Sequence, residues 1–276
     1  MAVIFTKVMK CVAAATLASA ALLGSASISV GGSANVTVMA FGLFGAQSVF
    51  ESEAKEAARI VAQRLGASEV IQRSNTKTRK DVTIASIQGD LEGAGQRMDR
   101  DGDLLFLILT SHGSQDGVAV QAGKRVEILS PELLAGMLDR AGVRHRVVVI
   151  SACYSGVFLR PLATEDTLVI TAADAEHSSF GCRDKVKWTY FGDAFFNTAL
   201  RYTADLRSAF TTARTLISRR EMRDGLVPSN PQIAGGENID SLLRQRRGGE
   251  AAGLQPGTDR SRHTVAPFDL RRNLGE

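Results

Sequence analysis

What most constrains the fold of this chain is a set of apolar, β-branched runs that are continuous instead of alternating. Five read as strands: Asn35 to Phe44, Glu69 to Gln72, Asp103 to Thr110 (DLLFLILT), Arg146 to Ser151 (RVVVIS) and Thr167 to Ala172 (TLVITA). A strand with one wet face alternates apolar and polar side chains, so unbroken runs belong to strands covered on both faces. Helical periodicity fills the intervals. Val49 to Leu65 carries Ala54, Ala57, Ala58, Val61 and Leu65 on one stripe and meets a stop at Gly66. A second helix is expected over Asp81 to Met98. A third opens at Ser130-Pro131, a capping side chain followed by the residue suited to the first helical turn, and runs to Arg140 before Gly142. Two more are expected near Gly192 to Arg201 and Asp205 to Arg223. Strand and helix in this order predict an α/β fold, a mostly parallel sheet with helices on both faces in a three-layer sandwich, interrupted by a short hairpin at Val118 to Ile128.

Three segments follow from the two ends of the 276-residue chain. Residues 1–34 read as an export signal and linker: Lys7 and Lys10 precede an apolar run from Cys11 to Gly24, followed by small residues. That run, about 14 residues, is shorter than the roughly 20 that span a bilayer. Cleavage is expected between Ala20 and Ala34, with the mature protein periplasmic or secreted and without a stable membrane span. Residues 35–235 form the catalytic-sized domain. Residues 236–276, rich in Gly, Arg and Gln, read as a mobile tail whose Arg244, Arg246 and Arg247 are a solvated charge run. The net charge of +4, from 33 basic and 29 acidic residues, is spread along the chain with no basic block to track phosphates, so nucleic acid is not an expected partner.

In a parallel α/β sheet reactive groups gather where strands end at their carboxyl edge. Two strands run out into reactive side chains, one into Thr110-Ser111-His112-Gly113-Ser114 and the other into Ser151-Ala152-Cys153-Tyr154-Ser155-Gly156. Adjacent strands lie about 4.8 Å apart, close enough for an imidazole and a thiol at their ends to share a proton. A thiol of ordinary pKa, about 8.5, needs such a neighbour to be a nucleophile at neutral pH. The backbone N–H groups of Gly113 and Cys153 can then donate to an oxyanion, glycine allowing the close approach. Taken singly, Cys153 also reads as a packed small hydrophobe and His112 as a surface residue, and strand logic alone leaves both readings open.

Four blocks in order, TSHGS (110–114), SACYSG (151–156), TAADAEHSSFGC (171–182) and TYFGDAFF (189–196), resemble the legumain-type cysteine peptidases (asparaginyl endopeptidases and haemoglobinases), relatives of the caspases, in their bacterial branch, over about Val36 to Ile233. The resemblance implies a caspase-like three-layer fold and a Cys and His dyad: Cys153 attacks a peptide carbonyl, and His112, its general base, later protonates the leaving amine. It implies a peptide or protein substrate, and a pocket bordered by Ser151, Ser178, Ser179 and Asp193. Ser151 stands where asparagine-specific members carry an acid, and the segment QSVFESEA lacks their arginine, so strict asparaginyl preference is not expected. Asp193 retains a second reading as a helix N-terminal carboxylate.

The other titratable residues carry less. His145 is expected to be solvated beside Arg144 and Arg146, His177 lies in a loop bordering the pocket, and His263 falls in the tail. Cys182 reads as a packed thiol. Two thiols without paired spacing make no zinc site, and Gly42 and Gly45 lack the Lys-Ser/Thr ending of a phosphate loop, so neither metal nor cofactor is expected. Two rival functions remain: a transpeptidase that resolves the same acyl-enzyme with an amine, and a binding protein that keeps the fold without turnover.

Overall fold

A computed structural model describes residues 34–253, with side chains to residue 246. The expected signal sequence and residues 254–276 of the expected tail lie outside the described residues. In chain order the elements are β1 (Val36–Gly42), α1 (Ser48–Leu65), β2 (Glu69–Ser74), α2 (Ile84–Arg97), β3 (Leu104–Thr110), β4 (Gly113–Ser114), β5 (Gly117–Ala122), β6 (Arg125–Leu129), α3 (Pro131–Ala141) and β7 (His145–Ser151). After a 3₁₀ turn at Ser155–Phe158 come α4 (Leu159–Leu162), β8 (Thr167–Thr171) and α5 (Tyr190–Gly192). A π-helical stretch at Asp193–Ala199 then leads to α6 (Leu200–Tyr202), α7 (Leu206–Arg223), β9 (Gln232–Ala234) and α8 (Glu237–Gly253).

Six strands form one sheet in the order β2-β1-β3-β7-β8-β9. The first five are parallel, and only β9 runs antiparallel, against β8. The continuous apolar runs are explained by which face each residue serves. Val36, Val38 and Ala40 of β1, Leu104, Phe106 and Ile108 of β3, Val147 and Val149 of β7, and Leu168 and Ile170 of β8 point into a core shared with α1, the π-helical stretch, α7 and α8. Their sequence neighbours Met39, Phe41, Leu105, Leu107, Leu109, Val148, Ile150 and Val169 point into a second core closed by α2, α3 and α4. A residue turned to either side meets hydrocarbon, so the central strands carry few polar positions; the edge strand β2 (EVIQRS) is largely uncovered and stays polar.

Helix ends follow the expected signals. The N–H of Gly66, at φ 58°, closes α1 by donating to the Ala62 carbonyl; Ser130 Oγ accepts from Leu133 N–H at the start of α3, with Pro131 in its first turn. Helix α2 starts three residues later than expected, because Thr83 and Ser86 exchange side-chain and backbone hydrogen bonds in a capping box that fixes Ile84 as the first helical residue.

Two expectations are corrected. The start of the segment expected as a mobile tail is helical and packed on the domain: α8 buries Ile239 and Leu243 in the first core, and Asp240 accepts from Arg207 Nε at 2.6 Å. Each such buried side chain contributes about 1.5–3 kcal/mol, enough to hold a helix of this length against the sheet. The segment expected as a plain helix over Gly192 to Arg201 begins at Tyr190 and widens to π geometry over Asp193–Ala199.

Candidate active site

In the β3 and β7 ladder Thr110 lies opposite Ser151, the last residue of each strand. The ladder continues one step further, Ser111 N–H donating to Ser151 O at 3.2 Å. His112 and Cys153 therefore occupy equivalent positions, each two residues past its strand, on adjacent strands. The two backbones approach so closely that a Cβ on Gly113 would lie 2.1 Å from the Cys153 carbonyl oxygen. Only glycine fits there.

His112 is half-buried between two rings, edge-on to Phe44 (centroids 4.6 Å apart) and to Phe50 (5.0 Å). Its Nε2 meets Gln47 Oε1 at 2.5 Å. The amide oxygen can only accept, which puts the ring proton on Nε2 and leaves Nδ1 as the basic nitrogen. Burial holds the imidazole below its ordinary pKa.

Cys153 sits before a turn made by Tyr154, whose φ of 54° is left-handed and uncommon for a bulky residue. The turn is held from both sides: Tyr154 N–H donates to His177 O at 2.9 Å, and Ser155 Oγ accepts from Ala173 N–H at 3.1 Å. These bonds lay residues 173–182 alongside the thiol. Cys153 Sγ donates to Ser179 O and accepts from Ser179 N–H, both at 3.3 Å. The neighbouring Cys182 thiol is the main reason the Cys153 pKa falls to about 6; burial opposes it, and the Ser179 N–H and the Ser178 hydroxyl assist. Cys182 is pushed strongly upward by Cys153 in turn, by burial and by the negative charge of Glu53. No hydrogen bond joins His112 to Cys153 among the described residues: the imidazole is bonded to Gln47 and the thiol to Ser179.

The four expected pocket residues separate. Ser178 and Ser179 lie beside the thiol, Ser179 through its backbone. Ser151 is buried beneath the site, its Oγ 3.2 Å from Thr189 Oγ1. Asp193 is in the first turn of the π-helical stretch, accepting from Asn197 Nδ2 (2.8 Å) and Arg220 Nη1 (3.3 Å). It borders a cavity of about 750 Å³ between that stretch and α7, lined by neither His112, Cys153 nor the two serines. Its carboxylate answers an arginine of α7, which sequence spacing does not reveal. His145, expected in solvent, keeps only 12% of its side chain exposed, with Nε2 3.7 Å from Asp166 Oδ1.

Three residues at the site carried no clear sequence signal. Gln47 precedes α1 and reaches His112. Cys182 neighbours Cys153 and lowers its pKa. Glu53 of α1 is fully buried; its Oε1 accepts from Thr110 Oγ1 (2.9 Å), its Oε2 from Thr189 N–H (2.8 Å) and Thr189 Oγ1 (2.7 Å), the hydroxyl that Ser151 Oγ also meets. One carboxylate thus ties α1 to the last residues of the two strands that carry His112 and Cys153. No group of three or more His, Cys, Asp or Glu able to hold a metal occurs among the described residues.

The family model described as the peptidase C13 family matches residues 57–236. Among solved structures, caspase-1 from Spodoptera frugiperda superposes with a TM-score of 0.52 at 14% identity, over 74% of this chain and 87% of that one. At that identity the likeness is one of fold, a caspase-like α/β sandwich. No curated protein matches.

Proposed function

The chain belongs to the peptidase C13 family, the legumain family, and from that premise we propose that it cleaves peptide bonds in protein substrates through an acyl-enzyme on Cys153, with His112 as general base. The observation that carries the reading is the pair of equivalent strand ends, with a thiol brought to about 6 on one and an imidazole whose Nδ1 is left basic by Gln47 on the other.

The steps use this chain's own groups. Substrate displaces the Ser179 carbonyl as partner of the sulfur; His112 Nδ1 takes up the proton that Cys153 gives up in forming its thiolate, and Sγ attacks the scissile carbonyl beside the resulting imidazolium. Hydrogen bonds of this kind tighten in the substrate complex, so their absence from the free protein is compatible with the role. The Cys153 and Gly113 N–H groups donate to the oxyanion. His112 then protonates the leaving amine, and Nδ1 next activates the water that releases the acyl group. Gln47 keeps the imidazole in the tautomer both transfers need.

Ser178 and the backbone of Ser179 border the substrate. Asp193 is held by Arg220 and Asn197 at a separate cavity, and Ser151 supports the floor beneath the nucleophile. We further propose export to the periplasm or beyond, on the strength of residues 1–34; the mature N-terminus is then expected between Ser25 and Asn35. Among the described residues no helix is long and apolar enough to cross a membrane.

The test is peptide-library digestion by the parent and by Cys153→Ala. Cleavage by the parent and none by the variant is expected. Equal cleavage by both removes the mechanism, and products carrying an added amine in place of water identify the transpeptidase outcome.

A further inference from the structure

The cavity of about 750 Å³ between the π-helical stretch and α7 is lined by none of the residues that carry the mechanism above. We propose that it is a binding site for a small amphipathic carboxylate, a singly charged organic acid with an apolar body. The site does not depend on the peptidase reading.

Its size falls in the range of small-molecule sites, roughly 300–1,000 Å³. One wall is Asp193–Ala199, where the chain widens from α-helical to π-helical geometry, a distortion that recurs at functional sites. Ala194 and Ala199 from that wall, with Leu216 and Ile217 from α7, give the cavity an apolar lining. Such a lining takes up the hydrocarbon part of a ligand without orienting it. Orientation comes from a few polar groups placed among apolar ones, and here α7 supplies them: Arg219, Arg220 and Arg223 all line the cavity, within little more than one helical turn.

Arg220 is fixed in place but underused. Its Cζ lies 3.6 Å from the centroid of the Tyr190 ring, a cation–π contact that holds the guanidinium over the aromatic face. Of the five N–H donors an arginine carries, Arg220 uses one among the described residues, from Nη1 to Asp193 Oδ2 at a long 3.3 Å, and its Nε is buried without a partner. A held guanidinium with donors unspent suits the two oxygens of a carboxylate. The charges of the lining point to the same ligand. Arg220 is paired with Asp193 and Arg223 with Asp224, whereas Arg219 makes neither an ion pair nor a hydrogen bond among the described residues. Three guanidiniums against two carboxylates leave one positive charge, which a carboxylate balances and a doubly charged phosphate exceeds.

The test titrates octanoate into the full chain by calorimetry, with 1-octanol as the uncharged comparator and acetate as the one without an apolar body. Saturable binding of one octanoate per chain is expected, tighter than either comparator by about tenfold or more, the worth of a hydrogen bond to a charged group. Arg220→Met, which keeps the apolar stem, is expected to weaken octanoate by a similar factor. Arg219→Gln, at an exposed position of α7 where folding is not at stake, is expected to weaken it severalfold. Prior alkylation of Cys153 with iodoacetamide should leave the binding unchanged, which separates this cavity from the thiol site. The proposal is overturned if octanoate shows no saturable binding at millimolar concentration, if octanol binds as tightly, if both variants bind as the parent does, or if alkylation of Cys153 abolishes binding.

Discussion

Glu53 offers the sharpest link between packing and the site. Replacing it with alanine removes an acceptor from Thr110 Oγ1, Thr189 Oγ1 and Thr189 N–H at once. The two hydroxyls can rotate to other partners, but the amide cannot, and an orphaned buried N–H costs about 1–3 kcal/mol. The truncated side chain leaves a void comparable to that of a core Leu→Ala change, which costs ~2–5 kcal/mol. Removing a buried carboxylate relieves part of its own desolvation cost and offsets some of this. The net expectation is a loss of about 3 kcal/mol for Glu53→Ala and of only about 1 kcal/mol for the isosteric Glu53→Gln, whose amide keeps one acceptor oxygen. The pH dependence has a definite sign. Burial raises the Glu53 carboxyl above its ordinary 4.5, against the Ser151, Thr189 and Thr110 hydrogen bonds that lower it. The stabilisation tied to its protonation is therefore complete below 4.5 and lost as pH rises through the folded value. Glu53→Gln lacks that slope. Urea unfolding followed by the single tryptophan, Trp188, next to Thr189, reads both effects when run from acid to neutral pH. An alanine variant within about 0.5 kcal/mol of the parent, or a glutamine variant with the parent's pH slope, would refute the reasoning.

Three further outcomes follow from the same geometry. Gln47→Ala frees the His112 tautomer and should lower kcat about tenfold with little change in KM, the worth of one hydrogen bond to a group that becomes charged; Gln47→Glu should partly restore it and move the pH profile. Gly113→Ala sets a methyl 2.1 Å from the Cys153 carbonyl oxygen and should cost kcat/KM on the order of 100-fold, as displacement of an oxyanion donor does, while parental activity would contradict the close approach. Iodoacetamide labelling of Cys153 should rise with pH through about 6 as the thiolate forms; in Cys182→Ala, which removes the leading cause of that value, the midpoint should move upward, and an unmoved midpoint would deny the neighbour's influence.

What the sequence revealed depended on whether a residue's partners were local. Four of the five strand runs were legible because burial on both faces removes most polar positions, the edge strand β2 being half-covered, and α1 and α3 because Gly66 and Ser130-Pro131 mark their ends within a turn of the chain. His112 and Cys153 were legible because strand ends can be read directly. Helix α8 was missed because its buried stripe, Ile239 and Leu243, is short and followed by arginines and glycines. The π-helical widening at Asp193 leaves no periodic trace. Glu53 looked like one more polar residue on an amphipathic helix: Thr110 lies 57 residues away and Thr189 136. The bond between Asp193 and Arg220 was hidden for the same reason, since the arginine lies 27 residues beyond it.

The central claim is that Cys153 is a thiolate nucleophile served by His112. The most direct measurement is intact-protein and peptide mass analysis after incubation with an electrophilic peptide probe, on the parent, Cys153→Ala and His112→Ala. A single adduct on Cys153 is expected in the parent and none in Cys153→Ala, with adduct formation slowed roughly 100-fold to 10,000-fold in His112→Ala. An adduct on Cys182 instead, or labelling at the parental rate without His112, would contradict it.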